Sequence, residues 1–233
     1  MPPFLPQRFN ARHYPSLPRN SDPEWPLGWL CGELLADYLD TGSTSVIDTY
    51  IPILDEFERH TVLVFLFGMS LYRGERRLAQ HCVELGYSLA PVEASDCGPL
   101  HDAMWYCGDR PDVFGWLLDH GAELERRDLS YGNATPLIRA VWERLESVVR
   151  LLVERGADVN ARTLVDDDRT ALMIAAEAGS HEVVKLLLAH GAQAELQDRW
   201  GRTADEFADS AGHDEIGRTL RRATLGRGTG RQS

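Results

Sequence analysis

The feature that most limits what this chain can fold into is a repeated spacing. Segment 170–198, TALMIAAEAGSHEVVKLLLAHGAQAELQD, holds two short apolar-periodic stretches joined by Gly-Ser, and the second stops at His-Gly-Ala. Neither stretch is long enough to bury its apolar face alone. Segment 135–162, TPLIRAVWERLESVVRLLVERGADVNAR, repeats the pattern: Thr135 precedes Gly156 by 21 positions, and Thr170 precedes Gly191 by the same 21. Thr203 follows Thr170 by 33 positions and opens TADEFADSAGHDEIGRTL. Gly98 opens another copy, which reaches its Gly-Ala at Gly121, and a fainter one, VLVFLFGMSLYRGERRLAQHCVELGYSL, ends near Gly86. The interval from Gly86 to Gly98 is 12, as it is from Gly191 to Thr203. Spacing kept across copies of different composition implies one two-helix unit, repeated so that neighbours cover each other's apolar faces.

Each recurring residue has a physical role. Thr135 and Thr170 are placed to cap first helices with their hydroxyls, and Pro99 and Pro136 fall at the first helical position, where a missing N–H costs nothing. Small residues such as Ala140, Ala175 and Ala176 let neighbouring helices approach. Gly179 and Gly212 suit the turn between the helices, while Gly121, Gly156 and Gly191 suit a left-handed stop after the second helix. Leu151, Leu152, Leu186, Leu187 and Leu188 supply the shared apolar stripe.

The departures are also informative. Arg144 stands where the turn glycine is expected, so that turn should be strained or altered. The copy beginning at Gly98 is two residues longer around CGDRPD, where Pro111 should start or interrupt its second helix. The loops DLSYGNA and TLVDDDR are each two residues longer than the last one. Asp205 and Glu206 take positions that are apolar in a core-facing unit, which marks a polar-faced terminal repeat.

The quoted elements TPLIRA, TALMIAAEAGS, VVKLLLAHGA and GADVNAR resemble the ankyrin repeat, strongly over 98–220, faintly over 61–96 and not before. The resemblance implies an all-α repeat solenoid, a stack of helix-turn-helix units with short hairpin-like loops. The expected organisation is an extended or disordered segment 1–24, an N-terminal helical cap 25–60, a repeat domain 61–225 and a disordered tail 226–233. The units fall near 61–97, 98–134, 135–169, 170–202 and 203–225. In the cap, WPLGWLCGELLADYLDTG reads as a helix stopped by Gly42, and VIDTYIPILDEFERH as a second segment broken by Pro52; their expected task is to cover the open end of the stack.

Composition narrows the function classes. Twenty-four basic against 36 acidic residues give a formal charge of −12, the opposite of the basic footprint that nucleic-acid binding requires. Cys31, Cys82, Cys97 and Cys107 form no C-x-x-C pair, which fits a reduced cytoplasmic setting rather than a disulfide framework. The proline-rich N-terminus has no apolar core of a signal peptide, and TVLVFLFGMSLY is too short to span a bilayer; it reads as the first helix of a repeat. No membrane association is expected.

No catalytic motif stands out. G-x-S-x-G, the phosphate-loop pattern and H-E-x-x-H are missing from the sequence. His181 and His213 begin second helices. Cys97, His101 and Cys107 lack a fourth metal ligand at ordinary spacing and read as buried thiols and a capping histidine. Asp166, Asp167 and Asp168 read as a solvated loop tip rather than a cation site. Neither cofactor nor metal is expected, and the protein reads as a non-enzyme.

The resemblance implies that partners meet the concave side, formed by the loop tips and the outer turns of the first helices. The residues placed there are Trp105 and Tyr106, Trp142 and Glu143, and Glu177, with Tyr131, Asp166, Asp167, Asp168, Trp200 and Arg202 at the tips. Large aromatics at solvent positions are interface anchors when a partner covers them; the competing reading packs Trp105 or Trp142 onto an adjacent repeat. The acids among them would steer a basic partner. The expectation is a monomer that binds one basic protein, as a bacterial antidote or immunity protein against a toxin domain, with a general adaptor as the alternative.

Overall fold

The computed structural model describes residues 26–89, 98–128, 132–165 and 167–228, with backbone alone for 26, 27, 29 and 226–228. The described residues form twelve α-helices and one short 3-10 turn, in two compact units divided after residue 88.

The first unit is built from α1 (Pro26–Thr41), α2 (Ser45–Tyr50), a 3-10 turn (Ile51–Ile53), α3 (Glu56–Arg73) and α4 (Arg76–Glu84). Gly42 follows α1 with a left-handed φ of 67°, as its position after the apolar stretch predicts. Pro52 sits in the 3-10 turn, and Asp55 then starts a new helix through a capping box. Its Oδ1 accepts the Glu58 N–H at 2.8 Å, and Glu58 Oε2 accepts the Asp55 N–H at 3.2 Å. That box makes α3 18 residues long, so it crosses the expected boundary between cap and first repeat and contains the whole TVLVFLFGMSLY run. No described helix is long and apolar enough to cross a membrane. α3 packs against α1 and α4 over Leu34, Val62, Leu66, Phe67 and Leu78, with Cys31 and Cys82 fully buried. Burial pushes both thiols up to about 12, which keeps them protonated and unreactive.

The second unit is an all-α repeat solenoid of four helix pairs: α5 (Pro99–Cys107) with α6 (Pro111–Asp119), α7 (Pro136–Trp142) with α8 (Glu146–Glu154), α9 (Ala171–Glu177) with α10 (His181–Ala189), and α11 (Ala204–Ser210) with α12 (Asp214–Gly228). First helices stack in the row α5, α7, α9, α11 and second helices in the row α6, α8, α10, α12. The shared core runs through Leu100, Phe114, Leu137, Val148, Leu152, Leu172, Val184, Leu187, Phe207, Ile216 and Leu220.

The expected caps and stops are present. Thr135 Oγ1 accepts the Ile138 N–H at 3.4 Å and Thr170 Oγ1 the Met173 N–H at 3.3 Å. Gly121, Gly156 and Gly191 are left-handed at φ 98°, 88° and 93°. In the turn between the two helices of the last two pairs, Gly179 and Gly212 have φ 73° and 80°, and Arg144 adopts 60° in the same place of the pair before them. The turn keeps its shape and the arginine takes the strained conformation.

Two irregularities resolve simply. Pro111 starts α6 rather than breaking it, and the preceding CGDRPD turn delivers Asp109 to the next repeat. In the last pair, Glu206 Oε2 accepts the Thr203 N–H at 2.8 Å, while Arg221 Nη1 donates to Asp205 Oδ2 at 3.3 Å and Asp209 Oδ2 at 2.6 Å. The outer surface of this pair is thus held by ion pairs instead of apolar packing. α12 continues through Gly228, three residues into the segment expected to be disordered; the remainder of that segment and residues 1–24 lie outside the described residues.

Candidate functional site

The first-helix row and the hairpin loops preceding α7, α9 and α11 carry the residues singled out in the sequence. The loops close through backbone pairs: Asp128 N–H donates to Ala134 O at 2.9 Å, Thr163 N–H to Arg169 O at 2.9 Å and Asp198 N–H to Arg202 O at 2.9 Å. Neighbouring tips are tied to one another, Leu164 N–H to Gly132 O at 3.1 Å and Arg199 N–H to Asp167 O at 3.1 Å. Each tip is therefore positioned by its neighbour.

Three indole rings are open to solvent on this unit. Trp105 at the end of α5 is 40% exposed, Trp142 at the end of α7 is 53% exposed and Trp200 on the last loop is 58% exposed. Trp105 and Trp142 occupy the same register position in successive repeats, which Glu177 takes in α9. Leu164 and Val165 add exposed apolar surface at the middle tip.

Against the Trp105 ring lies an arginine that the sequence reading did not single out. The Arg139 guanidinium is 5.2 Å from the centroid of the Trp105 ring, within reach of a cation–π interaction. Its Nη1 donates to Asp128 Oδ2 at 3.2 Å and its Nε to Glu143 Oε1 at 3.1 Å. The Arg139 and Asp128 side chains are each only 1% exposed. His101 completes this buried group: its Nε2 lies 2.8 Å from the Arg126 carbonyl, to which it donates, and its Nδ1 lies 4.0 Å from Asp128 Oδ2. Burial holds the His101 pKa below its ordinary value, against the opposing pull of the Arg126 carbonyl and Asp128.

A second group sits at the other end of the row. The Arg169 guanidinium lies over the Phe207 ring at 4.4 Å and pairs with Glu177. Arg202 lies 4.3 Å from the Phe207 ring and 5.1 Å from the Trp200 ring, and Arg199 lies 5.7 Å from Trp200. Arg202 is anchored by Asp198, whose Oδ2 accepts from Nε at 2.9 Å. Asp198 Oδ1 accepts the Trp200 N–H at 2.9 Å and the Arg202 N–H at 2.8 Å, so one buried carboxylate shapes the whole tip. Burial alone would raise the Asp198 pKa; the hydrogen bonds from Arg202 and Trp200 outweigh it and hold the carboxyl below the ordinary range. In the middle loop, Arg162 Nη1 donates to the Gln197 carbonyl at 2.8 Å and to Asp168 Oδ2 at 2.5 Å. Asp168 itself is left-handed at φ 56°.

The acids expected to present a bare negative field are largely committed. Glu143 is paired with Arg139, Glu177 with Arg169 and Asp168 with Arg162. Asp167 is half-buried, its carbonyl engaged by Arg199. Arg202, expected as a contact residue, is held by Asp198 against two rings. Tyr106 is half-buried. Tyr131 and Asp166 lie outside the described residues. The physical reason is local: Glu143 lies one helical turn after Arg139, Arg162 and Asp168 face each other across one hairpin loop, and Arg169 reaches Glu177 within its own repeat. The one legible signal was Arg139, which shares its position in the repeat with the apolar Ile174 and Phe207.

No cluster of three or more metal-ligating side chains occurs among the described residues. Burial pushes the Cys107 thiol up to about 12, and Cys97 lies outside the described residues. The first-helix face is thus a surface of partly exposed rings on salt-bridged arginines, suited to contact with another macromolecule.

Family models match the repeat architecture over part of the chain. Residues 132–164 match the family model described as ankyrin repeat, and residues 161–226 match that described as ankyrin repeats in three copies. No curated protein matches the chain. Ankyrin repeats are protein-binding modules, and the residues matched are those of α7 through α12. Residues 132–226 of the chain are ankyrin repeats.

Proposed function

We propose that this protein grips one protein partner through the first-helix and loop-tip face of its repeats and inhibits it, as an antidote or immunity protein does a toxin domain. The observation that carries the binding reading is the exposure of Trp105, Trp142 and Trp200 on helix ends and a loop tip whose neighbours are locked by ion pairs. Exposed indoles on a rigid base supply contact area at little ordering cost. The formal charge of −12 favours a basic partner through its long-range field, even though the acids of the face are paired. The α5/α6 pair joins the binding array, and the protein acts in the cytoplasm as a monomer without catalysis of its own.

The test is titration of the captured partner's activity with this protein. Full loss of activity at one equivalent supports an inhibitor. A partner that is bound by the tryptophan face and keeps full activity makes the protein an adaptor. Capture that does not depend on the tryptophans removes the binding reading itself.

A further inference from the structure

The position held by Arg139 is an unfavourable place for a charge. Residues at the same point of the two following repeats, Ile174 and Phe207, are buried and apolar. Arg139 is buried to the same degree, and so is the Asp128 carboxylate that faces it. Taking both charges out of water carries a desolvation cost that their attraction offsets only in part, and an apolar replacement of similar volume is often as stable or more so. By that argument stability alone does not call for an ion pair here. What the guanidinium does, and an aliphatic side chain could not, is reach upward in two directions. It lies 5.2 Å from the Trp105 ring and donates through Nε to Glu143 at 3.1 Å. Asp128 fixes it from below at 3.2 Å.

We propose that Arg139 is a positioning residue, buried in order to hold the Trp105 ring and the Glu143 carboxylate in one arrangement on the binding face. It links two repeats, since Trp105 ends α5 while Arg139 and Glu143 belong to α7 and its C-terminal end. The guanidinium fits the task because it lies over the ring, 5.2 Å from its centroid, and fills two hydrogen-bonding directions at once. With a cation already against one face, the ring is polarised toward that side, and its outward face favours an apolar or aromatic group of the partner over a second cation. The purpose assigned to this arrangement rests on the binding role proposed above; the arrangement itself is measurable without a partner.

The test uses the full chain labelled with 5-fluorotryptophan, the Trp105 resonance being assigned by its loss in Trp105→Phe. The informative variant is Arg139→Leu with Asp128→Asn, which removes the charge pair without leaving a buried carboxylate unpartnered. We expect this double variant to melt at or above the wild-type temperature while the Trp105 fluorine resonance narrows and moves toward the value of a solvated indole. The single Arg139→Leu variant should melt lower, because it strands Asp128. An unchanged Trp105 resonance in the double variant would overturn the proposal, and so would a melting temperature well below wild type, which would make the pair a structural requirement. If ring order is lost as expected but Trp105→Ala leaves partner capture intact, the positioning stands and the binding role fails.

Discussion

The Asp109 carboxylate accepts the Val148 N–H at 2.9 Å and the Ser147 N–H at 3.2 Å, reaching from the turn of one repeat to the start of α8 in the next. Leu145, at the N-cap of α8, has no side chain able to serve those donors. The longer CGDRPD turn supplies from a neighbour the cap that the helix lacks. Asp109→Ala is expected to lower stability by about 1 kcal/mol, the usual worth of a helix N-cap, with Asp109→Asn largely retained. Chemical denaturation of the three proteins checks this. Equal midpoints for alanine and wild type would show the cap to be without energetic weight.

Arg144 and Gly179 occupy one turn position in successive repeats, at φ 60° and 73°. A Cβ in this region costs roughly 1 kcal/mol, and the hydrogen bond that the Arg144 side chain donates from Nη2 to the Ala178 carbonyl at 3.3 Å is exposed and weak. Arg144→Gly should therefore stabilise the protein by about 0.5–1 kcal/mol. The reverse change, Gly179→Ala, should destabilise it by more, since a Cβ there would meet the His213 ring at 2.6 Å. Thermal melts of the two variants give the signs directly.

His101 gives the array a pH dependence whose sign follows from its burial. In the unfolded chain it titrates near about 6.5; in the fold its pKa is lower, beside Asp128, Arg139 and Arg126. As pH falls through the unfolded value, the unfolded state takes up a proton that the fold refuses. The stability present above that pH is then lost progressively toward the folded pKa. Melting temperature should fall as pH drops below about 7, and the slope should be shallower in His101→Gln, whose amide can still donate to the Arg126 carbonyl. Parallel slopes would mean that other groups set the dependence.

Salt should separate the two electrostatic layers of the binding face. The overall charge of −12 acts at long range and is screened beyond about 10 Å at 0.1 M salt, whereas Glu143, Glu177 and Asp198 are occupied by their own arginines. Raising salt is expected to slow association with a basic partner several-fold and to leave dissociation nearly unchanged. Surface-binding kinetics at two salt concentrations measure both rates; a dissociation rate that climbs steeply with salt would place unpaired charges at the contact.

Much of the repeat architecture was legible because its signals are local. Thr135 and Thr170 cap from within one turn, and Gly121, Gly156 and Gly191 mark their stops by the need for positive φ. Arg144 could be identified as strained for the same reason. The start of α3 was misplaced because Pro52 drew attention from the Asp55–Glu58 box just after it. The contacts between arginines and rings were invisible for a different reason. Arg139 meets Trp105, and Arg169 meets Phe207, across repeats, so the pairings exist only once helices far apart in sequence are stacked. Acids that read as a bare field in the sequence become half of an ion pair in the fold.

The most direct measurement compares the melting temperature and the partner affinity of Trp105→Ala/Trp142→Ala with those of wild type, using Leu187→Ala as a core control. Leu187 is fully buried, and its truncation should cost about 2–5 kcal/mol through a cavity. The double tryptophan variant is predicted to melt close to wild type while binding of the captured partner weakens by several kcal/mol in aggregate. A double variant that melts as low as Leu187→Ala and binds as tightly as wild type would contradict the account, because the rings would then serve the core and not a partner.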